Sequence, residues 1–193
     1  MAKQLADTCE SFANACNEAL AVAVRQNISN NIKLHHACYT DIRKTHGLSA
    51  NLAVRAIRRV NAAMTRAKRY GGKPRAFRPT SVDYDARIFA FRESDETVSL
   101  TVMGGRIHVP LVLGDYQRRV LKAKKPTAAV LTRSRGRFNI NIVIEDIDAE
   151  PPGDNTLGVD CGIRNTAATS HGTLTAQWSI PPTIQSQAGG CPR

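Results

Sequence analysis

LSANLAVRAIRRVNAAMTRAKRYGG, residues 48–72, is the most regular segment of this chain and the last of helical period. Laid out at about 100° per residue, Leu52, Ala53, Ala56, Ile57, Val60, Ala63, Met64 and Ala67 share one side, the pattern of a helix that buries one face. Ser49 stands where an N-cap belongs, and Gly71 with Gly72 supplies the stop. Arg55, Arg58, Arg59, Arg66 and Arg69 form a narrower stripe on another side.

Upstream of this stretch the period stays helical. Leu5, Cys9, Phe12, Cys16, Leu20 and Val24 recur at three-to-four spacing, and a weaker pattern runs from Ile32 through His35, Tyr39 and Ile42 to a stop at Gly47. His35 and His36 are adjacent and so point to different sides of a helix, which favours one interfacial and one exposed ring over a metal pair. Downstream, after GGKPRAFRPT, the period becomes two. Tyr84, Ala86 and Ile88 alternate, as do Val98, Leu100 and Val102, then Ile107, Val109 and Leu111, and later Phe138, Ile140, Ile142 and Ile144. Breaks fall at Glu93 to Glu96, at Gly104 with Gly105, in the polar stretch Gly114 to Lys125, and at SRGR, 134–137. Helices followed by antiparallel strands give an α+β class, with a small barrel or sandwich in the second part. EDIDAEPPGDN, 145–155, reads as an acidic linker.

Charge narrows the function. The net +11 is concentrated in residues 1–80, which carry 14 Lys and Arg against 4 Asp and Glu. From Arg43 to Arg78 there are eleven basic residues and no acidic one, whereas a solvated helix face normally mixes signs. A phosphate-binding surface is the favoured reading and an ordinary solvated face the other. For Lys122, Lys124, Lys125, Arg133, Arg135 and Arg137 two readings stay open, a nucleic-acid side of the barrel or loops made soluble by charge. Cys9, Cys16, Cys38, Cys161 and Cys191 are odd in number and contain no C-x-x-C pair, so reduced thiols are expected rather than a disulfide framework or zinc knuckle. No stretch has the polarity of a signal peptide or the length of a membrane span, and a cytoplasmic location is the default.

LGVDCGIRNTAATSHG, 157–172, raises a separate question, because an apolar strand stops there on Asp160. A carboxylate at a strand end binds a cation, pairs, or caps a turn. Taken alone, turn capping is the plainer choice.

The motif resembles the first nuclease motif of TnpB-type proteins, the OrfB transposases of insertion sequences, in which a strand ends in Asp-x-Gly before a hairpin. FANACNEALAVA at 12–23, KLHHACYTDIRKTHGLSANLAVRAIRRV at 33–60, FRPTSVDYDARIFAFRE at 77–93 and GDYQRRVLKAKKPTAAVL at 114–131 resemble the amino-terminal half of that family in its usual order. The resemblance implies an RNA-guided DNA endonuclease related to type V CRISPR effectors. Its implied architecture is a helical recognition-type module inserted in a small wedge or oligonucleotide-binding-like β-barrel, followed by the first strands of an incomplete RNase H-like RuvC domain. On this chain that divides as 1–73 helical, 74–145 barrel, 146–156 linker and 157–193 RuvC-like start with a divergent tail. Guide RNA and target DNA are the implied partners, in a prokaryotic, nucleoid-associated setting. Arg55, Arg58, Arg59, Arg66, Arg69, Lys73, Arg75, Arg78, Lys124, Lys125 and Arg135 are the candidate contacts. Asp160 matches the first of the carboxylates that hold two Mg2+ or Mn2+ ions about 3.5–4 Å apart.

The departures matter as much. The family needs a glutamate and a second aspartate downstream, and this sequence has no acidic residue after Asp160. One carboxylate does not assemble a two-metal site, so a truncated protein that binds nucleic acid without cutting DNA alone, and without holding the metal tightly, is expected. The family's opening barrel strand has no counterpart before Leu5, and after about Gly172 the text reads as loop. An RNA-dependent repressor, a nuclease subunit completed by a second chain, and a transposon relic are the alternatives.

Overall fold

In a computed structural model of the chain, residues 1–144 are described throughout, and of residues 145–193 only the backbone of three short strands. Helices α1 (Ala2–Arg25), α2 (Asn31–His46) and α3 (Ala50–Tyr70) form over the three expected stretches, but α2 buries Leu34, Cys38 and Ile42 rather than the face of Ile32, His35 and Tyr39, and Val24 at the end of α1 is exposed. The helix ends are set by local chemistry. Asn30 Oδ1 accepts from the N–H groups of Ile32 at 2.9 Å and Lys33 at 3.1 Å, and Ser49 Oγ accepts from Leu52 N–H at 3.5 Å. Gly47 and Gly71 end α2 and α3 at φ 61° and 69°, the left-handed cap that a side chain would strain.

Beyond α3 lie β1 (Ser81–Asp85), β2 (Phe89–Arg92), β3 (Thr97–Val102), β4 (Gly105–Pro110), a short α4 (Asp115–Leu121), β5 (Ala128–Ser134) and β6 (Arg137–Val143). They pair antiparallel in two three-stranded sheets, ordered β1-β5-β6 and β2-β3-β4. Alternation decides which side chains turn inward. Val82 and Tyr84 of β1, Val98, Leu100 and Val102 of β3, and Ala129 and Leu131 of β5 are buried. These residues join Phe12, Cys16, Leu34, Ile42, Ile57 and Val60 of the helices in one core, within a compact unit that runs from Met1 to Ile147. Thr8 ties α1 to the β3–β4 turn, because its buried Oγ1 donates to Gln4 O at 2.6 Å and accepts from Met103 N–H at 2.9 Å.

Several expectations change. The alternation Tyr84, Ala86, Ile88 does not run as one strand: β1 stops at Asp85, whose Oδ1 accepts from Arg87 N–H at 3.0 Å, and Ala86 is exposed in the resulting turn. The polar stretch after Gly114 contains α4, too short for its period to register in sequence. Arg118 fastens this helix to the β2–β3 turn through Glu96, at 2.6 Å and 3.2 Å. Phe138, Ile140 and Ile142 turn to one side of β6 as expected but stay half-buried, because they line an apolar groove of about 960 Å³ with Val109, Leu111 and Val120.

A second unit spans Asp148–Arg193. Its β7 (Val159–Asp160) pairs antiparallel with β8 (Asn165–Thr169), the hairpin anticipated around Asp160. The segment after Gly172, read as loop, contains a third strand, β9 (Leu174–Gln177), paired with β8; its four residues are too few to show a period. The linker expected at 146–156 lies outside the described residues, as do Cys161 and Cys191.

Candidate nucleic-acid interface

Arg59 is one of the five arginines of the α3 stripe, and it is taken. Its Nε and Nη2 grip Asp83 of β1 at 2.7 Å and 2.6 Å, Nη1 donates to Ser81 O at 2.9 Å and Ser81 Oγ at 3.1 Å, and the guanidinium lies 4.8 Å from the Phe12 ring centroid. Four of five donors are used, and the side chain is only 16% exposed. Arg59 is therefore occupied rather than open to nucleic acid, because its partner, absent from the local sequence, comes from β1 24 residues on. Arg55 is half-buried, with Nε shielded and unbonded among the described residues.

Arg58, Arg66 and Arg69 are exposed and have no partner among the described residues. Lys73, Arg75 and Arg78 continue this free charge along the segment after Gly71. That segment is held down at one point. Asn17 of α1 donates Nδ2 to Phe77 O at 3.0 Å and accepts Phe77 N–H on Oδ1 at 2.7 Å, which copies one rung of a sheet ladder with a side chain. Nothing in the sequence signals this pairing across sixty residues.

A second set of cations lies on the β5–β6 hairpin, beside Arg78. The Arg133 N–H donates to Thr80 O at 2.7 Å, and Ser81 pairs with Thr132, so the β5–β6 hairpin begins beside Arg78. Its tip carries Arg135 and Gly136 at φ 49° and 77°, followed by Arg137, and Arg133 lies 5.8 Å from the Phe138 ring. The tip arginines and Arg137 are exposed. Lys124 and Lys125 are not part of this cluster. They precede Ala128, at the opposite end of a seven-residue strand and so about 20 Å away; Lys125 is exposed, while Lys124 is half-buried and engaged.

Arg92 pairs with Asp95, and Arg118 with Glu96 and Asp115, whereas Lys3, Arg25, Lys33, Arg43, Lys44, Arg87, Arg106, Arg119, Lys122 and Lys125 are exposed and form no ion pair among the described residues. What sets α3 and residues 73–78 apart is that the whole run from Arg43 to Arg78 holds eleven basic residues and no acidic one. Tyr70 stands within it, 74% exposed, and the sequence reading passed it over as the end of a helix.

His35 stacks on Tyr39 at 4.5 Å while His36 is exposed, and no group of three His, Cys, Asp or Glu able to hold a metal occurs among the described residues. Cys9, Cys16 and Cys38 are free and buried; burial pushes the Cys16 thiol up to about 12 and Cys38 to about 11, so neither is a nucleophile at neutral pH. Asp160 closes β7 opposite Ala168, and its side chain lies outside the described residues. No helix among the described residues is long and apolar enough to cross a membrane. No protein-family model and no curated protein matches the chain.

Proposed function

We propose that this chain is a TnpB-type protein that holds nucleic acid, guide RNA and with it target DNA, on the basic surface made by α3, residues 73–78 and the β5–β6 tip. The observation that carries the reading is the set of exposed, unpartnered cations Arg58, Arg66, Arg69, Lys73, Arg75 and Arg78, drawn from a run of sequence that holds no acidic residue. A fold can leave that much like charge together at little cost only where the surface is solvated or meets a polyanion. In this reading the three helices are the recognition-type module, the two sheets the wedge-type barrel, and β7 to β9 the start of an RNase H-like RuvC fold. Its chemistry in the complete family is hydrolysis assisted by two Mg2+ or Mn2+ ions. Asp160 alone does not fit that pair of ions, so the 193 residues by themselves bind and do not cut.

The test is salt dependence. Binding of labelled RNA should weaken steeply with salt through counterion release, and Arg58→Gln with Arg66→Gln, Arg69→Gln and Lys73→Gln should reduce the slope by about one for each phosphate contact removed. An unchanged slope and affinity would remove this surface from consideration. RNA retained on the expressed protein should come from one locus and direct it to complementary DNA; a random sample of cellular transcripts would reject guiding while leaving the basic surface.

A further inference from the structure

Tyr70 closes α3 with 74% of its surface exposed and with no ring or cation against it among the described residues. Three other aromatic rings among the described residues have a guanidinium near them, Arg59 on Phe12, Arg119 on Tyr116 and Arg133 on Phe138. Tyr70 lies one helical turn beyond Arg66 on the same ridge and next to Arg69, with Lys73 three residues on. The chain then bends away at Gly71, where φ is 69° and a built side-chain atom would meet nothing within 4 Å. A large flat apolar ring therefore stands in open space, bordered by cations that have no acidic partner.

We infer that Tyr70 is a stacking platform for an unpaired base, so that the nucleic acid held at this end of α3 is single-stranded. The inference rests on the nucleic-acid reading above and sharpens its ligand. A duplex offers phosphates to Arg66, Arg69 and Lys73, but its bases are already stacked and leave the ring without a partner. A single strand offers both, because every base has a face and the contact tolerates any sequence. Stacking of this kind involves neither the 2′-hydroxyl nor a base edge, so single-stranded RNA and DNA share the chemistry.

The experiment measures binding of the full-length chain to labelled single strands of RNA and of DNA, and to the blunt duplexes of the same length, at one salt concentration. Tyr70→Ala should weaken at least one of the single strands about tenfold and the duplexes less than about twofold; the strand that loses affinity identifies the ligand. Tyr70→Trp should restore the affinity, and its added fluorescence should be quenched on binding. Equal effects on single strand and duplex, or no effect on either, would overturn stacking. Loss of binding in the Arg66→Gln and Arg69→Gln variant with none in Tyr70→Ala would keep the basic surface and discard the platform, whereas no loss in any variant would discard both. The side chain is exposed, so a thermal melt matching the parent's accompanies each result.

Discussion

The carboxamide of Asn17 closes two hydrogen bonds on the backbone of Phe77, accepting its N–H at 2.7 Å and donating to its carbonyl at 3.0 Å. A helix side chain thus positions the segment that carries Lys73, Arg75 and Arg78. Asn17→Ala should cost about 1–2 kcal/mol of stability, because two half-buried backbone groups lose their partner. It should also weaken nucleic-acid binding although no charge is removed. Denaturant midpoints and binding isotherms of the same preparation check both halves.

Arg59 and Arg58 are sequence neighbours with opposite duties. Arg59→Gln breaks the bidentate pair with Asp83 and should destabilise by about 2–3 kcal/mol. Arg58→Gln should leave stability within about 0.5 kcal/mol and lower the salt slope of binding instead. Equal stability losses would show that the division between buried strut and free cation is misplaced.

At the β5–β6 tip, Arg135 holds φ 49° where a side chain is strained, next to Gly136 at 77°. Arg135→Gly should raise stability by about 0.5–1 kcal/mol and weaken nucleic-acid binding at the same time. Opposite signs in a melt and a binding assay are the expected signature of an arginine that contacts phosphate. A gain in stability with unchanged affinity would make Arg135 a bystander.

Alkaline pH should unfold this protein early. Burial raises the thiols of Cys16 and Cys38 from the ordinary 9.0 to about 12 and about 11, and raises Cys9 and Tyr84 in the same direction. The unfolded chain releases the thiol protons near pH 9 while the folded chain keeps them, so this stability is complete below pH 9 and is lost as pH rises toward 11 and 12. Each thiol contributes about 1.4 kcal/mol per pH unit in that window. Urea midpoints in reducing buffer should be flat up to pH 9 and fall above it; a flat profile to pH 11 would contradict the burial of these groups.

Asp160 should be chemically idle in this chain alone. Purified protein with Mg2+ or Mn2+ should leave single- and double-stranded DNA intact, and Asp160→Ala should barely change nucleic-acid affinity, because one aspartate supplies too few ligands for a tightly held ion. Cleavage that disappears in Asp160→Ala would require further carboxylates, from Glu145 to Asp154 or from a second chain.

The sequence by itself determined the three helices and their stops, since the period of Leu52, Ala56, Ile57 and Val60 and the caps Ser49 and Gly71 are local properties. It determined the turns at Gly104–Gly105 and at Gly136 for the same reason, because glycine adopts positive φ at little cost. The excess of basic charge from Arg43 to Arg78 was legible too, as a composition without acids. Only the tertiary structure decided which of those charges are free. Asp83 claims Arg59 from 24 residues away, Asn17 claims Phe77 from 60, and Thr80 brings Arg78 beside the Arg135 hairpin. These pairings depend on which strand lies under which helix, and that is set by how the inward faces pack together. A helical or alternating period shows that a face will be buried; it does not say against what.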